Sequence, residues 1–265
     1  RMRIKTNYLI YPIKGNYNGF YVEIDKYKGY FIANYKEVYN SNNSKYILKC
    51  KNLTYSNFKQ CLSLQLLNMY TPENTSLTRL KISFCIDLET DVTRFLKTHL
   101  IMHKFNYYNL NKVPGKKRDF IKFDYDNFSI ELSTCNCKSR LKNEKAKLKV
   151  TWYIKDSSEI NFSFNLNVAD LLIVENLEGL FSLYIKRFDE LIIIDKSKIS
   201  KILDLKEKEL MTEYTTYGFW KSLDKYRRHR HKKTFLGIVE KYELDTINVF
   251  IRNSLIRELT NFINN

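Results

Sequence analysis

The sequence predicts an α+β protein: an antiparallel-sheet core in β-α-β-β-β-α order, preceded by a β-rich lobe and followed by a helical region. Three observations carry this. Within residues 1–195, short runs in which apolar residues alternate with polar ones, the period of a half-buried strand, recur between a few helical stretches. From about residue 196 the period changes to that of a helix. With seven Gly and three Pro in 265 residues, there is little material for long irregular connections. Three regions follow: 1–75, the β-rich lobe with one helix; 76–195, the α+β core; and 196–265, helical.

In the lobe, IKTNYLIYPI, FYVEI and YFIANY read as strands, with GNYNG as a turn, and YILKCKNL from Tyr46 reads as a fourth. Phe58, Cys61, Leu62, Leu66 and Met69 then line one side of a helix. Ser56 or Asn57 is its expected N-cap and Thr71-Pro72 its stop. The core opens with LTRLKISFCIDL, a strand with Leu80, Ile82, Phe84 and Ile86 on one face and Arg79, Lys81, Ser83 and Cys85 on the other. DVTRFLKTHLIMH is expected to be helical, with Val92, Phe95, Leu96 and Leu100 inward. DFIKFDY, FSIELST and LKVTWYI are the next strands, and NVADLLIVENLEGLFSLYIKRF is helical, as one helix or two. FDELIIID reads as a buried strand or a helix tail. In the last region Phe219, Leu223 and Tyr226 form an expected docking stripe, repeated by Phe235, Ile238, Val239 and Tyr242. Ile247, Phe250, Ile251, Leu255 and Leu259 belong to a final helix, with Asp245 as its cap.

Formal net charge is +16, from 45 Lys and Arg against 29 Asp and Glu. That surplus favours a polyanionic partner, although abundant Lys, Asn, Ile and Tyr also suit an AT-rich coding bias. Clustering therefore says more than the total. Lys221, Lys225, Arg227, Arg228, Arg230, Lys232 and Lys233 crowd one stretch, opposed only by Asp224, and Lys116, Lys117 and Arg118 form a smaller cluster. Both are expected nucleic-acid contacts, DNA before RNA. The ordinary alternative for such a run is a solvated helix face.

Five cysteines, with no zinc-type spacing, suit reduced thiols in a cytoplasmic protein. No apolar run approaches the roughly 18 residues needed to span a bilayer, so no membrane partner is expected. Walker, G-x-G-x-x-G, H-E-x-x-H and C-x-x-C motifs are missing, which argues against nucleotide hydrolysis, dinucleotide chemistry, zinc proteolysis and redox work. His229-Arg230-His231 does not read as a metal pair, since on a helix the two imidazoles stand about 200° apart.

RLKISFCIDL, KFDYDNFSIELS, LKVTWYI, NVADLLIVENLEGLFSLYI and YGFWKSLDKYRRHRHKK, in that order over residues 77–260, resemble the replication initiation proteins of rolling-circle plasmids, single-stranded DNA phages and mobile elements. The resemblance implies a DNA-binding protein and, in the active members, a nicking-closing nuclease. There a tyrosine attacks a phosphate while acids hold Mg²⁺ or Mn²⁺. Here Lys81 stands where the family has an acid, FSIELSTCNCKS lacks the tyrosine, and Thr151 replaces a glutamate. The expectation is a family-like protein with weakened or lost nicking. Residues able to restore chemistry are Tyr125 or Tyr153 as nucleophile and Asp87, Glu89 and Glu131 for metal. Each has an ordinary alternative: strand aromatics for the tyrosines, and dipole-favoured acids at a helix start for Asp87 and Glu89. A third class is an adaptor of a mobile element, meeting RNA or an acidic protein, as a homodimer or in a larger complex.

Overall fold

The structure, a computed structural model, describes residues 13–17, 20–24, 29–33, 54–66, 77, 79–107, 120–135, 146–155, 167–196, 198–199, 204–216 and 218–265. The chain divides into two compact units. One comprises residues 1–75, 169–173 and 260–265, the other 76–168 and 174–259.

In the first unit β1 (Ile13–Tyr17), β2 (Phe20–Ile24) and β3 (Gly29–Ala33) form an antiparallel meander. Gly15–Tyr17, expected in a turn, are in β1, because Tyr17 pairs with Phe20 and only two residues separate the strands. Helix α1 (Tyr55–Leu66) starts earlier than expected. Its cap is Thr54, whose hydroxyl accepts from the Asn57 N–H at 3.3 Å, not Ser56 or Asn57. Phe58 and Leu62, one turn apart, are buried, and Phe262 packs against Tyr55 and Phe58 at 6.3 and 6.1 Å. The expected strand from Tyr46 and the stop at Thr71-Pro72 lie outside the described residues.

The second unit is built on a four-stranded antiparallel sheet of β4 (Leu80–Ile86), β9 (Lys147–Ile154), β8 (Phe128–Cys135) and β7 (Phe120–Asp124), in that spatial order. Register turns the alternation of the sequence into two different faces. One carries the rows Ile82–Trp152–Ile130–Phe123 and Phe84–Val150–Leu132–Ile121. Helix α3 (Val174–Asp189), reached through a 3-10 turn at Val168–Leu172, covers it. Tyr184 stacks on Trp152 at 6.1 Å and donates to the Val150 carbonyl at 2.9 Å. The opposite face is polar, with the rows Lys81–Tyr153–Ser129–Asp124 and Ser83–Thr151–Glu131–Lys122.

The expected helix through His103 is half that length. Helix α2 (Val92–Thr98), capped by the Asp91 carboxylate on the Arg94 N–H, buries Val92, Phe95 and Leu96. His99–His103 is strand β5, not helix. It pairs with β10 (Leu191–Asp195) and β6 (Asn106–Tyr107) in a second antiparallel sheet, β10-β5-β6. The β10 partner stands some ninety residues away, so a non-local ladder overrides the local period. Among the described residues the order over 77–195 is therefore β-α-β-β-β-β-β-α-β.

The helices that follow among the described residues include α4 (Leu205–Tyr214), α5 (Phe219–Ser222), α6 (Lys225–Lys241) and α7 (Thr246–Asn264). They do not form a region of their own. Met211, Tyr214, Trp220, Phe235, Ile238, Val239 and Leu244 share a buried cluster with Met102 of β5 and Ile194 of β10. Burying such side chains is worth about 1.5–3 kcal/mol each, which binds the helices to the second sheet. The expected stripe Phe219–Leu223–Tyr226 is broken. Gly218 enters α5 at φ 89, Leu223 is extended, and Asp224 caps a new helix. Tyr226 consequently faces solvent at 87 % exposure, and Trp220 does the docking. Among the described residues no helix is long and apolar enough to cross a membrane.

Candidate nucleic-acid interface

Helix α6 owes its inner side to Phe235, Ile238 and Val239, which are buried. At about 100° per residue, the side opposite them carries Tyr226, His229, Arg230 and Lys233. These four are exposed, as are Lys225, Arg227 and, on α5, Lys221. Arg228 and Lys232, one turn apart, lie half-buried at the margin. The Arg228 Nε is buried without a hydrogen-bond partner among the described residues. The Lys232 ammonium sits 4.5 Å from the Phe105 ring centroid. Burial, helped by the Arg228 charge, holds Lys232 below the usual lysine range.

The acids on or against this helix stand mostly at its ends: Asp224 before its first turn, and Glu240, Glu243 and Glu207, which pairs with Lys241 at 2.8 Å, about its last. Asp224 is committed to capping: it accepts from the Tyr226 and Arg227 N–H groups at 2.9 Å each. Those bonds, the one from Arg227 first, hold its carboxyl below the ordinary range. Its pairing with the Arg227 guanidinium, at 3.4 Å between exposed groups, adds little. The outward cations therefore keep an uncancelled field. His231 docks through its Nδ1, 3.2 Å from the Tyr214 hydroxyl, while His229 is exposed, so the two imidazoles diverge as expected. Lys116, Lys117 and Arg118 lie outside the described residues.

Tyr125 has partners that the sequence did not announce. It follows β7, and its hydroxyl lies 2.6 Å from Nδ1 of His103, the fully buried last residue of β5. His103 Nε2 approaches the Glu190 carboxylate at 3.3 Å, off the line of a good hydrogen bond. Glu190 also pairs with Arg187 at 2.7 Å and Lys104 at 3.3 Å. Burial pushes the His103 imidazole down to about 4, against the opposing pull of Glu190. It is neutral at pH 7, and the geometry assigns the proton to Nε2, leaving Nδ1 to accept from Tyr125. The Tyr125 ring stacks on Phe128 at 4.8 Å, and the Lys104 ammonium lies 5.6 Å from its centroid. A phenol hydrogen-bonded to an imidazole beside cations has the parts of a nucleophile and its base, but an imidazole pushed down to about 4 is a weak base. The Tyr125 hydroxyl also aims into the packed side of the sheet.

The other chemical candidates are dispersed. Tyr153 and Glu131 sit in neighbouring rows of the polar sheet face, on the side away from Tyr125. Asp87 is exposed and paired with the Lys147 ammonium at 2.7 Å, and Glu89 is exposed before α2. Among the described residues no three His, Cys, Asp or Glu side chains gather to hold a metal, so Asp87, Glu89 and Glu131 build no site for Mg²⁺ or Mn²⁺ there.

Together the fold and this surface define an α+β protein that presents one strongly cationic helix on an aromatic core. No family model matches the chain, and no curated protein or solved structure matches it.

Proposed function

We propose that the protein binds DNA through the outward side of α6, as a relative of plasmid and phage replication initiators in which nicking is weakened or lost. The observation that carries this is the run of exposed cations at Lys225, Arg227, Arg230 and Lys233, beside which the nearest acid, Asp224, is occupied as the helix cap. Phosphate contacts dominate nucleic-acid affinity and displace counterions, so binding weakens steeply with salt. Replacing Arg227, Arg228 and Arg230 together by Ala is expected to remove DNA retention at physiological salt while far-UV circular dichroism stays native. Unchanged retention by this variant overturns the placement of the interface. Binding of RNA or an acidic protein in preference to DNA assigns the same surface to an adaptor.

The Tyr125–His103 hydrogen bond favours a second reading, an active tyrosine nuclease. Its test is a covalent protein–DNA adduct on incubation with single-stranded DNA and Mg²⁺ or Mn²⁺, lost in Tyr125→Phe. An adduct that survives this substitution places the nucleophile elsewhere, and no adduct with either metal removes the reading.

A further inference from the structure

We infer that Tyr226 is a base-stacking residue, and that α6 accordingly takes DNA whose bases are unpaired. This rests on the reading of α6 as the nucleic-acid surface and names the strand state it selects. Tyr226 is 87 % exposed, with no ring, hydroxyl or ion partner among the described residues. It contributes nothing to docking: Trp220 and Phe235 occupy the core that Tyr226 was expected to join. Nor is it an isolated apolar side chain on a neutral surface. Arg227 follows it directly, and Arg230 and Lys233 lie on the same side, about 6 and 10 Å farther along the helix. All three are exposed.

Phosphate binding needs only the cations. A large ring among them gains free energy only if something flat and apolar covers it, and the ligand that brings both phosphates and flat rings is a nucleic acid strand. In a duplex the base faces are covered by their neighbours and only edges are open in the grooves. A face-on partner for Tyr226 is thus an unpaired base. The backbone that carries the ring is already ordered. Asp224 accepts from the Tyr226 N–H and the Arg227 N–H, pinning the first turn, so stacking orders little backbone.

The test uses fluorescence anisotropy with the full chain and fluorescein-labelled oligo-dT, unpaired by composition, beside a labelled mixed-sequence duplex. Wild type is compared with Tyr226→Ala, Tyr226→Phe and the double variant Arg230→Ala/Lys233→Ala. Tyr226→Ala is expected to weaken oligo-dT binding about tenfold, as loss of one stacked base does. Its slope of log K against log[salt] and its duplex affinity should stay near wild type, and Tyr226→Phe should retain oligo-dT binding. The double variant instead flattens the salt slope by about two units on both ligands. If Tyr226→Ala leaves oligo-dT affinity unchanged, or weakens both ligands equally, the stacking inference fails while the α6 interface stands. If wild type binds neither ligand, or the double variant binds both as wild type does, the interface itself fails, and the inference with it.

Discussion

His103 is a titrating group held where it cannot easily take a proton. Its folded value, about 4, lies below the ordinary 6.5, so the unfolded chain protonates first as pH falls. The stability tied to this residue is complete above about pH 6.5 and is lost as pH falls towards 4. Full development of that shift amounts to roughly 3 kcal/mol. Lys104 and Arg187 face the imidazole and oppose its protonation, while Glu190 favours it. His103→Asn keeps an acceptor near the Tyr125 hydroxyl without a titration, so its urea midpoint should fall less than that of wild type between pH 6.5 and 4. Equal slopes would mean that other groups control acid stability. At pH 7, Tyr125→Phe leaves the buried Nδ1 without its donor and is expected to cost about 1–3 kcal/mol in urea unfolding. Sequence alone offered Tyr125 only as one of two tyrosines able to restore the nucleophile that the family resemblance implies. It could not supply His103, because H-L-I-M-H continues the helical spacing of Val92, Phe95 and Leu96, and only pairing with distant β10 converts it to a strand.

At the scale of elements, the four strands of the main sheet were legible because each has one dry and one polar face, and the same alternation sets their register. The break between α5 and α6 was not read as one, since Phe219, Leu223 and Tyr226 keep a helical spacing across it. Asp224 was visible, but as a lone acid in a basic run and not as a cap. Two positions on α6 depart from helix preference and can be tested. Gly237 lies in the helix interior with open space where a Cβ would stand, so nothing in its packing requires glycine. Gly237→Ala should stabilise the protein by about 0.5–1 kcal/mol, seen as a raised midpoint in urea. At the other end the Leu244 N–H bonds the Val239 carbonyl and the Glu243 N–H the Glu240 carbonyl, a Schellman ending. Glu243 holds the left-handed position at φ 47, which glycine occupies without strain. Glu243→Gly is expected to stabilise by a similar amount, about 0.5–1 kcal/mol, the relief of strain exceeding the added freedom of the unfolded chain. A lowered midpoint in this variant would show that the position carries no such strain.

For the whole molecule the question is whether a net charge of +16 or its arrangement attracts DNA. Abundant lysine raises the total everywhere, and much of it is locally answered, as by Asp87 at Lys147 and by Asp124 at Lys122 and Lys155. On α6 the cations outnumber the acids and stand on a helix fixed to a shared aromatic core, so their charges add at one place. Exposed charges farther apart than about 8–10 Å are largely screened at physiological ionic strength, so dispersed lysines act singly. Two triple variants with the same net charge, +13, separate the effects. One removes Arg227, Arg228 and Arg230; the other removes Lys81, Lys97 and Lys186, exposed residues of β4, α2 and α3. Arrangement predicts that the first flattens the salt slope by about three units and abolishes retention, while the second shifts the slope by less than about one. Equal losses in the two variants would make the surplus charge itself the attractant, and α6 merely its densest part.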